Sequence, residues 1–143
     1  MNIQKVTYEN IHYLAFIDKI GRESLPIFYT IEDLICSEDE IYVYINNNNV
    51  VGYIIYDSKS ANHAHIKSIA VSRQSRLSGV GTSLLQFVKK RFSKISLYVQ
   101  KGNDAKDFYK KNQFIEKYKD ENYYTTLPES CAYYMEWDAS LLK

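Results

Sequence analysis

Cysteine, net charge and long apolar runs are all in short supply in this chain, and each shortage removes a class of protein. The two cysteines, Cys36 and Cys131, lie far apart and match no metal-ligand spacing, so neither a disulfide framework nor a metal site is expected. Free buried thiols in a reducing, cytoplasmic compartment are the simplest reading. The net charge is only +1, which supplies no basic field for nucleic acid. No apolar stretch is long enough to span a membrane, and Met1 to Leu14 contain no signal-peptide h-region. The cluster Lys89-Lys90-Arg91 reads as the solvated end of a helix, where cations suit the dipole. Repeats and linkers are also lacking, so residues 1–143, at 45% hydrophobic content, are expected to form a single domain with a sizeable core.

What is present is a regular succession of short elements. Residues 2–7 read as a strand, Thr7 as the cap of a helix over 8–20, and 21–29 as a loop. Thr30 and Asp33 form an N-cap pair that opens a short helix ending near Cys36. Strands are expected over 40–45 and 50–56, joined by a turn at Asn46 to Asn49, because Asn tolerates left-handed backbone. A strand over 63–71, a helix to about Phe92, a strand over 95–99, a helix over 105–112, and strands over 114–118 and 132–137 follow. This order implies an α/β fold with a mixed sheet.

The most informative stretch is the loop Arg76-Leu77-Ser78-Gly79-Val80-Gly81, set between a strand ending at Val71 and a helix opening near Thr82. Two glycines let the backbone approach a ligand closely, and a helix start offers unpaired N–H groups and a positive dipole end. Such a corner suits a phosphate or pyrophosphate, with Arg76 adding a charge-assisted bond. A P-loop would need Lys after its last glycine, where Thr82 stands, and a dinucleotide fingerprint would need a third glycine.

The pattern Arg-x-x-Gly-x-Gly after a strand ending in Ala70-Val71 resembles the acetyl-CoA pyrophosphate loop of the GNAT acetyltransferase superfamily. A second segment, Gly102-Asn103-Asp104-Ala105-Lys106-Asp107-Phe108-Tyr109 followed by Gln113-Phe114, is similar to that family's Asn-x-x-Ala-x-x-Phe/Leu-Tyr and Gly-Phe signature. Gly102 stands at the usual Asn, with Asn103 one place later, and Gln113 replaces the usual Gly. The apolar loop Leu25-Pro26-Ile27-Phe28-Tyr29 and the pair Tyr123-Tyr124 resemble the two substrate loops of protein N-terminal acetyltransferases of the NatE catalytic-subunit and RimI types. The resemblance covers nearly the whole chain and implies a single-domain GNAT fold, a seven-stranded mixed sheet with about four helices.

It also implies acetyl-CoA as co-substrate without a metal, and direct acetyl transfer to the α-amine of a protein or peptide N-terminus. Ile69, Ala70, Val71, the loop from Arg76 to Thr82, Asn103 and Tyr109 would hold acetyl-CoA, with a backbone N–H of Ile69 or Ala70 facing the thioester oxygen. Leu25, Pro26, Ile27, Tyr29, Lys67, Tyr123 and Tyr124 would meet the substrate. His65 falls where NatE-type enzymes carry a catalytic Tyr, and Tyr98 where they carry a catalytic His. Either residue could relay the amine proton, and a His titrating near neutrality is a competent base. Tyr109 would serve the departing thiolate. By the strand period of two, His63, His65, Lys67, Ile69 and Val71 should share one face, where Lys67 would favour a neutral His65 or an acidic substrate residue. An auxiliary subunit is possible by resemblance. The rival readings are transfer to a small amine or a lysine side chain, or a non-catalytic acetyl-CoA-binding partner.

Overall fold

Alternating apolar residues make strands of much of this chain, and hairpins join the second strand to the third, the third to the fourth and the sixth to the seventh in its sheet. The computed structural model describes residues 2–142. The elements are β1 (Ile3–Lys5), α1 (Tyr13–Ser24), α2 (Ile31–Ile35), β2 (Glu40–Asn46), β3 (Asn49–Ser58), β4 (His63–Val71), α3 (Val80–Lys89), β5 (Lys94–Gln100), α4 (Ala105–Lys111), β6 (Ile115–Asp120) and β7 (Ala132–Asp138). One sheet runs in the order β1-β2-β3-β4-β5-β7-β6. It is antiparallel except where β4 meets β5. The hairpin β2–β3 turns at Asn47 and Asn48, with φ of +51° and +66°, as its Asn run predicts.

The parallel pair positions the site. β4 and β5 are in register only over His63–His65 against Lys94–Ser96, and beyond that point no ladder joins them. The strands therefore part, leaving one side of β4's last residues open. Leu84, Leu85 and Val88 of α3 close one face of the sheet with Ile54, Ile66, Leu97 and Met135. Leu14, Ile17 and Ile20 of α1 close the other with Val43, Tyr53 and Ile55.

Three local expectations are corrected. Thr7 opens only a short 3-10 turn, its N–H bonded to Asn10 Oδ1 at 2.6 Å, and α1 begins at Tyr13. That helix then runs through Gly21 to Ser24 instead of ending at 20. Gly21 serves packing there: a Cβ on it would lie 3.0 Å from Phe28 Cβ and 3.3 Å from the Tyr53 hydroxyl. Lys89 is not a solvated helix end. It is half-buried, donates to the Asn112 carbonyl at 2.6 Å and lies over Trp137, tying α3 to the end of α4.

Gln113, the residue in place of the familiar glycine, has φ of +73°. A non-glycine residue in the left-handed region carries strain of roughly 1–2 kcal/mol. Gln113→Gly should raise stability by about 0.5–1 kcal/mol, glycine's own entropic cost offsetting part of the relief. Urea denaturation measures this, and an unchanged or lower midpoint would refute it.

Candidate active site

β4 carries the central irregularity. Its pairing with β3 slips between Ile55↔Ser68 and Tyr56↔Ile66, which leaves Lys67 as the extra residue of a β-bulge. Side-chain parity flips across it. Ala64 and Ile66 face the α3 side, and so do Ile69 and Val71, whereas Ala70 faces the α1 side and Ser68 bonds Tyr53 there. The single shared face expected for His63, His65, Lys67, Ile69 and Val71 is thus broken at Lys67. His65 lies on the face opposite Ile69 and Val71. Lys67 projects to Asp39, 3.1 Å away, and pairs with it.

The bulge also sets the backbone. The N–H of Ser72 donates to Val51 C=O at 2.8 Å, so by alternation Ser68 and Ala70 bond to β3 as well. The N–H and C=O groups of Ile69 and Val71 then point toward the opening between β4 and β5. Of the two donors expected to face a thioester oxygen, Ile69 has this orientation and Ala70 does not.

At the start of the opening lies a cleft of about 510 Å³ lined by Lys59, His63, His65, Ser96, Tyr98, Tyr118 and Tyr134. His65 and Tyr98, from neighbouring strands, meet edge to face with ring centroids 5.7 Å apart. Tyr98 stacks on Tyr123 at 4.1 Å and its hydroxyl bonds that of Tyr118 at 2.9 Å. Burial lowers the His65 pKa below the ordinary imidazole value, and the charges of Lys59, His63 and, to a lesser degree, Lys67 push the same way. The Tyr98 phenol is raised, first by its hydrogen bond to Tyr118 and then by burial. His65 is accordingly neutral and able to accept a proton at pH 7, while Tyr98 stays protonated.

Ser96 was not anticipated. It sits opposite His65 in the parallel ladder and is only 1% exposed, with its Oγ 2.7 Å from His65 Nδ1 and 2.8 Å from His63 Nε2. Tyr109 on α4 is buried among Phe108 and Phe114, and burial raises its phenol, with Tyr124 and Tyr53 adding to the effect. Tyr124 is pushed up to about 12, again by burial and then by Tyr123.

The two candidate substrate loops reach the same region. Tyr29 shares a cleft with Asp39, which pairs with Lys67 of β4, while Tyr123 stacks on Tyr98 of β5; burial raises the Tyr29 phenol, opposed by Lys67. Ile27 and Pro26 are exposed, whereas Leu25 is half-buried against the α1-side core. Ile27, Phe28 and Tyr29 also border a cleft of about 650 Å³ with Glu32, Asp33, Cys36, Ser37 and Asp39. Those carboxylates come from α2 and the segment after it, outside the apolar loop itself.

The loop after β4 fits an anionic group. Leu77 and Gly79 have φ of +64° and +87°, and nothing lies within 4 Å of where a Cβ on Gly79 would project. Gly81 lets α3 approach Phe108, where a Cβ would come within 3.0 Å. Gly79, Val80, Gly81 and Thr82 thus present the first N–H groups of a ten-residue helix. The Arg76 side chain braces the loop, donating to Val71 C=O at 3.3 Å and to Ser24 Oγ at 2.8 Å, and Ser78 Oγ donates to Ser75 C=O. Asn103 Oδ1 accepts from the Ala105 N–H at 2.8 Å, so it caps α4.

The family model for the acetyltransferase (GNAT) domain matches residues 37–116, from just before β2 into β6. No curated protein sequence matches the chain. Among solved structures, Ard1 from Thermoplasma volcanium is 28% identical, with a TM-score of 0.79 and coverage of 95% of each chain. The ribosomal-protein-S18-alanine N-acetyltransferase of Escherichia coli shares the fold at 19% identity and a TM-score of 0.78, covering 96% of this chain and 92% of its own. Arabidopsis thaliana Naa50, solved with the bisubstrate analogue CoA-Ac-MVNAL, does so at 22% identity and a TM-score of 0.75, covering 96% and 99%. The parted parallel strands, the glycine loop at the head of α3 and a family match over more than half of the chain agree: this chain belongs to the GNAT acetyltransferase family and is an acetyl-CoA-dependent N-acetyltransferase.

Proposed function

We propose that the acetyl acceptor is the N-terminal α-amine of a protein or peptide, attacked directly in a ternary complex with His65 as the base. The observation that carries this reading is the meeting of His65 and Tyr98 beside the β4–β5 opening, with Tyr123 of the second substrate loop stacked on Tyr98. Acetyl-CoA supplies an activated acyl group and a stable thiolate leaving group. The glycine loop, braced by Arg76, would hold its pyrophosphate, and the backbone of Ile69 and Val71 would hold the arm. The Ile69 N–H would then face the oxygen on which charge develops. His65 removes the proton of the attacking amine. Tyr98 stays protonated, fixed by Tyr118, and helps wall the slot with Tyr123. Tyr109, also protonated at neutral pH, is the donor available to the departing sulfur.

A polycationic small amine is the second reading, because Glu32, Asp33 and Asp39 line the cleft beside Ile27 to Tyr29. Two of these are already engaged. Asp33 accepts from the Thr30 N–H at 3.0 Å, and Asp39 pairs with Lys67. Beside Glu32, the walls left for a substrate include Ile27, Phe28 and Tyr29, apolar and aromatic surfaces that suit a peptide backbone and side chain.

Thiol release from acetyl-CoA, followed with peptides differing in their first two residues, matched α-blocked peptides and a polyamine panel, separates the readings. Turnover confined to free α-amines and dependent on the first residue is the expected result. Turnover on polyamines, or on blocked peptides through lysine, would overturn it.

A further inference from the structure

The unanticipated residue in the cleft has a definite task, given that His65 is the base. Ser96 has one hydroxyl proton and lies between two imidazole nitrogens, His65 Nδ1 at 2.7 Å and His63 Nε2 at 2.8 Å. One proton satisfies one of these nitrogens. The other must itself carry a proton and donate to Oγ. If Ser96 donates to His65, that ring is protonated at Nε2 and has no lone pair left for the cleft. If His65 donates from Nδ1 and Ser96 donates its O–H to His63 Nε2, the Nε2 lone pair of His65 is free.

We propose that Ser96, with His63 as its acceptor, is a positioning element that holds His65 as the Nδ1–H tautomer and so presents Nε2 as the base. The charged groups around the ring are compatible with this. Asp57 and Lys59 approach from the β3 side, Lys67 from β4 itself, and Lys94 with Glu136 flank His63. Lys59 lines the same cleft as His65 and is paired with Asp57 at 2.9 Å. Tyr134 donates its own proton to Glu136 at 2.9 Å, so it gives Ser96 no donor; its oxygen is a further acceptor beside Ser96, and a Ser96 proton turned there still leaves Oγ accepting from His65 Nδ1–H. The arrangement also needs no rearrangement on turnover. When Nε2 takes the amine proton, the Nδ1–H bond to Ser96 stays as it was.

The lock is made by residues that only tertiary structure brings together. His63 and His65 are two apart on one strand face, and Ser96 comes from the strand paired with them in parallel. A serine at this point in a strand would otherwise be an ordinary pleat residue. Its near-complete burial and its two short bonds to imidazoles set it apart.

The test is nitrogen NMR on histidine-labelled protein near pH 8, with resonances assigned through His63→Gln and His12→Gln variants. The expected spectrum has His65 protonated on Nδ1 and bare on Nε2, and Ser96→Ala should release this into a tautomer mixture. Ser96→Ala should also lower kcat by about 10–100-fold, less than the roughly 10²–10⁴-fold that a general base contributes, with KM for acetyl-CoA unchanged. His63→Ala should lower kcat as well, because Ser96 then turns its proton toward His65, and the double variant should be no worse than Ser96→Ala alone. A His65 protonated on Nε2 in the parent protein would overturn the proposal. So would a His63→Ala variant with full activity, or losses that multiply in the double variant. A chain that shows the lock but acetylates no α-amine keeps this inference and sinks the acceptor assignment; α-amine turnover with Nε2–H on His65 does the reverse.

Discussion

His65→Gln should lower kcat by a factor of about 10²–10⁴, the usual contribution of a positioned general base, and leave acetyl-CoA affinity in place. The ring stands on β4 beside Tyr98, on the face away from Ile69 and Val71, so its loss removes a proton acceptor without touching the cofactor-facing backbone. The pH profile sharpens the test. A base must be neutral to act, so kcat at saturating acetyl-CoA and peptide should be level above its pKa and fall as pH drops through it, whereas kcat/KM also carries the ionisation of the free α-amine at about 8. Burial, Lys59 and His63 all depress that pKa, which puts the acid limb below the ordinary imidazole value of about 6.5. The variant should lose this limb along with the rate. Tyr98→Phe gives the contrast. Its phenol is held protonated by Tyr118 and burial, so a modest loss through slot geometry is expected, with the limb retained. If Tyr98→Phe abolished turnover and His65→Gln spared it, the base would be Tyr98.

That ordering of His65 over Tyr98 could not be read from the chain, and the reason is physical. Element identities were legible because alternation, caps and turn residues are local signals: Asn47 and Asn48 do adopt the left-handed turn, and Thr30 with Asp33 does cap α2. The glycine loop was legible because Gly79 and Gly81 are needed for backbone reasons that hold at any tertiary position. The bulge at Lys67 was not, since it exists only relative to the register of β3, and it reverses which side chains share a face. Ser96 was missed for the same reason. Its partners lie 31 and 33 residues away and meet it only through the parallel pairing of β4 with β5. The end of α1 lies later than its sequence suggests for a related reason, since the loop expected from residue 21 begins only after Ser24. A glycine that ends a helix and one that admits a neighbouring side chain look alike until Phe28 and Tyr53 are seen against Gly21.

The second large effect belongs to the glycine loop, where Gly79→Val should weaken acetyl-CoA binding by about 5–30-fold. Gly79 has φ of +87° and forms the N-cap of α3. A side chain in that region costs roughly 1–2 kcal/mol, and a β-branched one sits at the upper end. The free variant will relax to negative φ, turning the leading N–H groups of α3 away from the anion. Binding must then restore the strained conformation, and 1–2 kcal/mol corresponds to about 5–30-fold in Kd. The surrounding space adds nothing to the cost, because a Cβ at Gly79 meets no protein atom within 4 Å. That open volume is where the ligand would lie, so valine also intrudes on it. Asn48→Val is the control: it places the same residue at φ of +66° in the β2–β3 turn, outside the β4–α3 loop. It should lower the melting temperature while leaving acetyl-CoA affinity unchanged by calorimetry. Equal affinity losses in both variants would mean that general destabilisation, and not the geometry of the loop, governs binding. A loss confined to Gly79→Val assigns the pyrophosphate contact to the backbone at the head of α3, with Arg76 acting as the brace that keeps that backbone in place.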